Sequence, residues 1–335
     1  MARRISMGFN WQGELDRDAA YEAAQIADEV GVDSMWVAEA WGRDAFSLLT
    51  LVADRTKRVK LGTSIVNIYS RTPGALAQHF GTLDELSGGR VIIGLGTSGI
   101  RVIEHFHGVP FQPAYTRLKE TVELLRLFFA NEPVHYDGKL FKLERGFRLR
   151  FDPVRKQVPI YLATLKPKSV RFTAEKADGW MPTMIPFRDF PAESRKVRAW
   201  CSEAGKDPDA FTIRCPGSVT VANDDEAYQR ARYAAASGLA FYCARMGDYY
   251  YEQLCGFGFQ AEADAVRAAW KDGGAAAGIG AVDDGLLEQM HFIGTTEACA
   301  ERLHAQEEAG ANLHSVRVME GDPEKRGRIL ERLIG

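Results

Sequence analysis

Short β-like runs alternate with amphipathic helical stretches along most of this chain, and that order restricts the fold more than any other feature. Such alternation predicts βα units and a parallel sheet. The runs read as strands cover 5–9, 34–39, 59–67, 91–96, 159–163, 179–182, 212–221 and 315–319. Helical patterns between them cover 17–30, 45–56, 75–86, 115–130, 168–176, 191–204 and 225–236. The first of these carries Ala20, Ala23, Ala24, Ile26, Ala27 and Val30 at helical spacing and stops at Gly31, a natural C-terminal cap. Eight strands with intervening helices point to a closed (β/α)₈ TIM barrel, which leaves no sheet edge exposed. The 335 residues then make one barrel domain over 1–335, as α/β barrels of about 250 residues or more commonly do.

Two segments fall outside the repeat. The stretch at about 134–151 is rich in Tyr, Phe and Leu around Asp137-Gly138 and reads as a hairpin insertion with a tight turn. The stretch at about 245–290 is rich in Gly and Ala, with Tyr249, Tyr250, Tyr251, Phe257, Phe259 and Trp270. It reads as a helical insertion at the barrel mouth, or else as a surface excursion packed on itself.

Composition closes off several function classes. The formal net charge is −3 and no basic stripe stands out, which argues against nucleic acid and anionic membranes as partners. Cys201, Cys215, Cys243, Cys255 and Cys299 are scattered and odd in number, with no C-x-x-C pair. That disfavours a disulfide framework or a zinc site and fits a reducing cytoplasm. No run of about 18 apolar residues occurs, so no transmembrane helix is expected.

In a barrel, chemistry sits where the C-terminal ends of the strands converge. Asn10 and Trp11 follow the first strand, and Glu39, Trp41, Arg43 and Asp44 follow the second. Glu39 ends an apolar strand; it could hydrogen-bond a ligand, or pair with Arg43 to hold the loop. Trp41 is either a wall for a flat ring or plain core. The third strand ends in Thr63-Ser64-Ile65-Val66-Asn67, an alternation too irregular for an ordinary barrel strand. Asn10, Trp41, Arg43 and Asn67 are the candidate substrate contacts.

The fourth strand ends in Gly94-Leu95-Gly96-Thr97-Ser98-Gly99, a literal G-x-G-x-x-G. The dinucleotide fingerprint belongs to a first βα unit that runs straight into a helix. Here it falls in the fourth unit and 100–111 reads as a loop, so a Rossmann fold is disfavoured. In a barrel, these glycines let a flat cofactor lie close to the backbone. His105 and His107 would share a face on a strand, but no third ligand at sensible spacing accompanies them, so no metal is expected. His107, beside Gly108, is a candidate proton donor, with Glu39 and the insertion tyrosines as the others. The fifth strand runs into Ala163, Thr164, Leu165 and Lys166, then a helix from about Lys168. Amides at that helix start, with a lysine, suit a phosphate; the plain alternative is surface lysine.

Together these segments resemble the luciferase-like family, and within it the branch using coenzyme F420, an 8-hydroxy-5-deazaflavin. The matching stretches are 36–46, 61–67 with Ser70-Arg71-Thr72-Pro73, 83–90, 94–99, 158–163 and 177–180. The resemblance implies the (β/α)₈ barrel and a non-prolyl cis peptide at Ser64–Ile65 against one face of the deazaflavin. It further implies ring contacts at Glu39, Ser64, Ile65, Thr97, Ser98 and Gly99, and a phosphate seat over Ala163, Thr164, Leu165 and Lys166. The implied reaction is hydride transfer between the reduced deazaflavin and an activated C=C, C=N or C=O bond of a small organic substrate. An FMN-dependent luciferase-like monooxygenase is the alternative, and a non-catalytic barrel that binds a flavin-like ligand is a third reading. Relatives often pair, so a homodimer is an expectation. Sugar-phosphate dehydrogenases of the branch carry Asp-His where this chain has Glu39-Ala40, and a Glu where it has Gly99. That activity is therefore disfavoured, and the proton donor is not inherited from that subgroup.

Overall fold

The computed structural model describes residues 2–9 and 15–335. Its strands in chain order are β1 (Ile5–Gly8), β2 (Ser34–Val37), β3 (Lys60–Thr63), β4 (Val66–Asn67), β5 (Val91–Gly96) and β6 (Val134–Asp137). They continue with β7 (Lys142–Phe147), β8 (Ile160–Ala163), β9 (Gly179–Trp180), β10 (Thr212–Val221), β11 (His291–Gly294) and β12 (Leu313–Val318). The parallel order β10-β12-β1-β2-β3-β5-β8-β9 closes on itself because β9 also pairs with β10. The expected eight-stranded TIM barrel is therefore the fold.

Three departures from the sequence reading concern the site. The single strand expected over 59–67 is two strands, β3 and β4, separated by Ser64–Ile65. β3 pairs with β2 and β5, and β4 pairs again with β5 at Val66–Leu95 and Asn67–Gly96. The poor alternation of that run is the trace of the break: one chain segment changes its facing between the two pairings. The expected loop at 100–111 starts with a short helix, Ile100–His105, with Gly99 at its N-cap. It buries only Val102 and Ile103, too little for a helical period to show in sequence. β11 adds a further parallel strand beside β10, outside the ring.

The hairpin forms as β6 and β7, but its turn is wider than the expected tight one. Asp137 pairs with Lys142, leaving 138–141 as the connection. Buried Glu120 sets that width by accepting the backbone amides of Lys139, Leu140 and Phe141 at 2.7–3.0 Å. The segment after β10 is helical throughout: Asp225–Arg245, longer than expected, then Tyr249–Gly256, Gln260–Gly280 and Asp284–Met290. These helices carry their own apolar core around Leu239, Leu254, Val266 and Leu286. They also meet the barrel loops. Trp41 lies 5.8 Å from Phe241 and Lys166 Nζ lies 5.1 Å from the Tyr249 ring. Arg101 Nη1 donates to the Arg245 carbonyl at 3.1 Å. The inserted helices thus touch the segments that follow β2, β5 and β8 and pack on one another as well. Among the described residues no helix is long and apolar enough to cross a membrane.

His314, on β12, yields a stability prediction. It is 1% exposed, with Nδ1 3.0 Å from Gln306 Oε1. Burial pulls its pKa from 6.5 to about 4; the Glu307 carboxylate opposes this, and Arg3 and Arg4 reinforce it. The unfolded chain therefore binds the proton first as pH falls. The contribution is intact above pH 6.5 and is lost progressively down to pH 4, amounting to roughly 3 kcal/mol. Urea unfolding at pH 7.5 and pH 4.5 should show that loss in the wild type and a flatter profile in His314→Gln. Equal slopes in the two proteins would remove His314 from the account.

Candidate functional site

The ends of β2, β3 and β5 build one side of the mouth. The Ser64–Ile65 peptide is cis, as the family resemblance implied. Ser64 N donates to the Val37 carbonyl at 2.8 Å, and the Ile65 carbonyl accepts from Glu39 N at 3.1 Å. The bulge is thus clamped to the extension of β2. Glycines make room for it. A Cβ at Gly94 would stand 1.6 Å from the Thr63 carbonyl oxygen, and one at Gly96 would stand 3.3 Å from both the Ala163 oxygen and Ile65 Cδ1. The Thr63 backbone fills the space so created, and its Oγ1 accepts from Gly94 N at 3.0 Å and donates to the Gly94 carbonyl at 2.7 Å.

Glu39 is 8% exposed, and its carboxylate is held by Arg71 rather than by Arg43. Arg71 Nη1 reaches Oε1 at 2.5 Å and Nη2 reaches Oε2 at 3.2 Å. The Ala45 amide donates to Oε2 at 2.8 Å, so Glu39 also anchors the start of the helix Ala45–Arg55. Both oxygens already accept donors.

Asn67 has no accessible surface, so it cannot make the expected substrate contact in this arrangement. Its Oδ1 accepts the Tyr69 and Ser70 amides at 2.9 and 2.7 Å. That orientation turns Nδ2 toward His107 Nε2 at 3.3 Å. An amide NH₂ can only donate, so Nε2 must accept, which puts the imidazole proton on Nδ1. Burial holds the His107 pKa below its ordinary value; the Glu39 carboxylate pulls it back up and the Arg71 guanidinium pushes it down. His105 ends the short helix and is exposed, so the two histidines do not share a strand face. Among the described residues no three His, Cys, Asp or Glu are grouped to hold a metal ion.

Thr97, Ser98, Gly99, Ala163 and Leu165 are partly buried around the same opening, with Ser98 in the left-handed region at φ 57°. Thr164 is 5% exposed; its hydroxyl meets Thr173 Oγ1 at 2.7 Å and its carbonyl accepts Trp180 Nε1 at 2.8 Å. Its side chain is therefore turned into the protein, leaving backbone for a ligand. Lys166 is the exposed N-cap of the helix Pro167–Lys176, and no side chain caps that end. Lys168 Nζ sits 4.5 Å from the Tyr115 ring. Trp41 is 42% exposed against Phe241, and Arg43 is partly buried. Asn10 lies outside the described residues.

Two arginines of the site escaped the sequence reading. Arg71 lies in the Ser70-Arg71-Thr72-Pro73 run, where nothing local marks it as the partner of Glu39. Arg214 sits in mid-strand in β10, and its Nη1 donates to Ser64 Oγ at 2.9 Å. A lone cation inside an apolar strand was the available signal.

The luciferase-like monooxygenase family model matches residues 8–313. A 5,10-methylenetetrahydromethanopterin reductase of Archaeoglobus fulgidus is 30% identical over 302 residues, covering 89% of this chain and 88% of that protein. A Mycobacterium tuberculosis protein assigned as a coenzyme F420-dependent oxidoreductase is 30% identical over 330 residues, covering 92% of each. Among solved structures, the coenzyme F420-dependent tetrahydromethanopterin reductase from Methanopyrus kandleri aligns with a TM-score of 0.84 at 22% identity, covering 100% of this chain and 99% of that one. At that identity the structural likeness speaks for the fold. The family model and the two relatives extend across the barrel and its insertions alike, and the chain belongs to the luciferase-like family.

Proposed function

We propose that this protein is a coenzyme F420-dependent oxidoreductase that moves a hydride between the deazaflavin and an activated C=C, C=N or C=O bond of a small organic substrate. The observation that carries the reading is the break between β3 and β4 at Ser64–Ile65, clamped to the extension of β2 by two backbone hydrogen bonds and lying against β5, whose end runs into Thr97, Ser98 and Gly99. The residues present fit such a group. Backbone at 64–65 and 97–99, with the small Ser64, Thr97 and Ser98 side chains beside the apolar Ile65, suits a flat ring with a polar edge. The helix start at Lys166, which no side chain caps, suits a phosphate with Ala163, Thr164 and Leu165 before it, because the helix dipole favours an anion there. Relatives at 30% identity named for F420 and for a pterin substrate support the same reading.

When bound, the deazaflavin supplies or takes up the hydride at one ring carbon. The chain's own part is to orient, to exclude water and to move a proton. Glu39, with both oxygens engaged, orients the loop and bounds the ring site. His107 is the better donor toward the substrate, since its Nδ1–H is not occupied by Asn67: the neutral ring hydrogen-bonds the atom that gains charge, and the proton that atom takes up comes from solvent. Asn67 sets the tautomer. Trp41, backed by Phe241, offers a face for a flat substrate, and Arg43 lies on the same loop. The five cysteines are all free, which is compatible with a cytoplasmic enzyme.

Fluorescence titration with the deazaflavin and with FMN tests the reading. Tight binding of the deazaflavin is expected, together with anaerobic turnover of an imine, enone or ketone panel by the reduced form. His107→Ala should slow that turnover about 100-fold or more while leaving deazaflavin affinity unchanged. Tight binding of FMN alone, with oxygen consumed, would instead make the protein a monooxygenase.

A further inference from the structure

The barrel lumen is filled in layers that differ sharply in how charge is handled. At the bottom, Arg4 pairs with Asp33 at 2.9 Å, and Asp33 also takes Lys60 at 2.8 Å. Above it, Trp36 stacks on Tyr161 with ring centroids 5.9 Å apart, packed among Ile92, Met181 and Leu313. Nearest the mouth is Arg214, its guanidinium 5.8 Å from the Trp36 ring and its Nη1 on Ser64 Oγ.

Among the described residues Arg214 meets no carboxylate and forms no ion pair, and Ser64 Oγ is the one acceptor it meets. Burial lowers its pKa to about 10, and the only titratable group that works against this is the Cys215 thiol. The guanidinium is therefore charged at neutral pH. The residue keeps some accessible surface, and from inside a closed barrel that surface faces the mouth. A buried cation without a partner is costly, and the cost is removed when an anion or an electron-rich atom is brought to it. Arg offers five N–H donors in a fixed fork, and Ser64 takes one. Because Ser64 Oγ accepts from a cation, its own hydroxyl hydrogen is left free and becomes a stronger donor.

We propose that Arg214 is a positioning residue which, beside and through Ser64, makes the mouth prefer a flat ring whose negative charge is confined to its polar edge over the same ring with that charge absent or spread across it. The inference rests on the deazaflavin reading above. The oxidised 8-hydroxy ring can itself ionise, but its charge is shared along the conjugated path to the 8-oxygen. Hydride addition at the central ring carbon breaks that path and leaves negative charge on the pyrimidine edge, so the hydride-loaded carrier is the form this cation would hold more tightly.

The test compares dissociation constants of oxidised and reduced deazaflavin, and the potential of the bound couple, in wild type, Arg214→Met, Arg214→Lys and Ser64→Ala. Arg214→Met should weaken the reduced form at least about tenfold more than the oxidised form. The bound couple then becomes more negative by about 30 mV for each tenfold change in that ratio. Arg214→Lys should keep most of the ratio, because it keeps the charge, and Ser64→Ala should lose a smaller part. Equal weakening of both forms in Arg214→Met would mean that Arg214 only supports the fold, and would overturn the inference. Should Arg214→Met not fold, the decision falls to the other two: a ratio unmoved by Ser64→Ala, or abolished by Arg214→Lys, counts against it. Wild-type protein that binds neither form would overturn the deazaflavin reading, and this inference with it.

Discussion

Gly94→Ala is expected to yield no protein that both folds and binds the deazaflavin, with a stability loss of at least about 4 kcal/mol. The added methyl would lie 1.6 Å from the Thr63 carbonyl oxygen, inside any contact distance. A flexible side chain could swing away; a backbone carbonyl in a sheet cannot. Thr63 is also tied to Gly94 by both of its Oγ1 hydrogen bonds, so β3 and β5 cannot separate there without breaking them. The next residue is Ser64, so any shift is delivered straight to the cofactor side of the mouth. Gly96→Ala is the control. Its methyl would meet Ala163 O and Ile65 Cδ1 at 3.3 Å, a crowding that small movements relieve. A loss of about 1–2 kcal/mol is expected, with folding retained. Denaturant unfolding of the two variants decides the matter, and similar losses in both would show that the close approach of β3 to β5 is not what Gly94 is for.

Glu39→Ala and Arg71→Ala should each cost about 3–5 kcal/mol, while the double variant costs much less than their sum. The two side chains are 8% and 17% exposed, so either one left alone is a largely desolvated charge. Glu39→Ala also strands the Ala45 amide at the start of a helix. Arg71→Ala removes the guanidinium lying 5.0 Å from the Phe46 ring. A double-mutant cycle by urea unfolding measures the coupling. If the losses simply add, the pair does not act as a unit, and Glu39 is freed for a direct role toward the ligand.

Much of the barrel could be read directly because its signals are local. The alternation of runs such as 34–39 and 91–96 with amphipathic helices reports on each βα unit separately, and a glycine such as Gly31 ends a helix by its own backbone freedom. The motifs around Glu39, Ser64 and Gly94–Gly99 could be placed for the same reason, since strand ends meet at one mouth whatever the details between them. β11 stands outside the eight-strand ring, so the count of βα units left no place for it, and the short helix Ile100–His105 buries only Val102 and Ile103, too few positions to display a period.

What the linear order decided, then, is the architecture and the face on which chemistry occurs, both consequences of periodic burial along the chain. Tertiary structure alone decided which charges meet. Arg71 pairs with Glu39 from 32 positions away and Arg214 reaches Ser64 from 150 away. Asn67 turns inward to fix the proton on His107. A side chain's partner depends on distances closed by the sheet ring, and no residue carries that information in its neighbours.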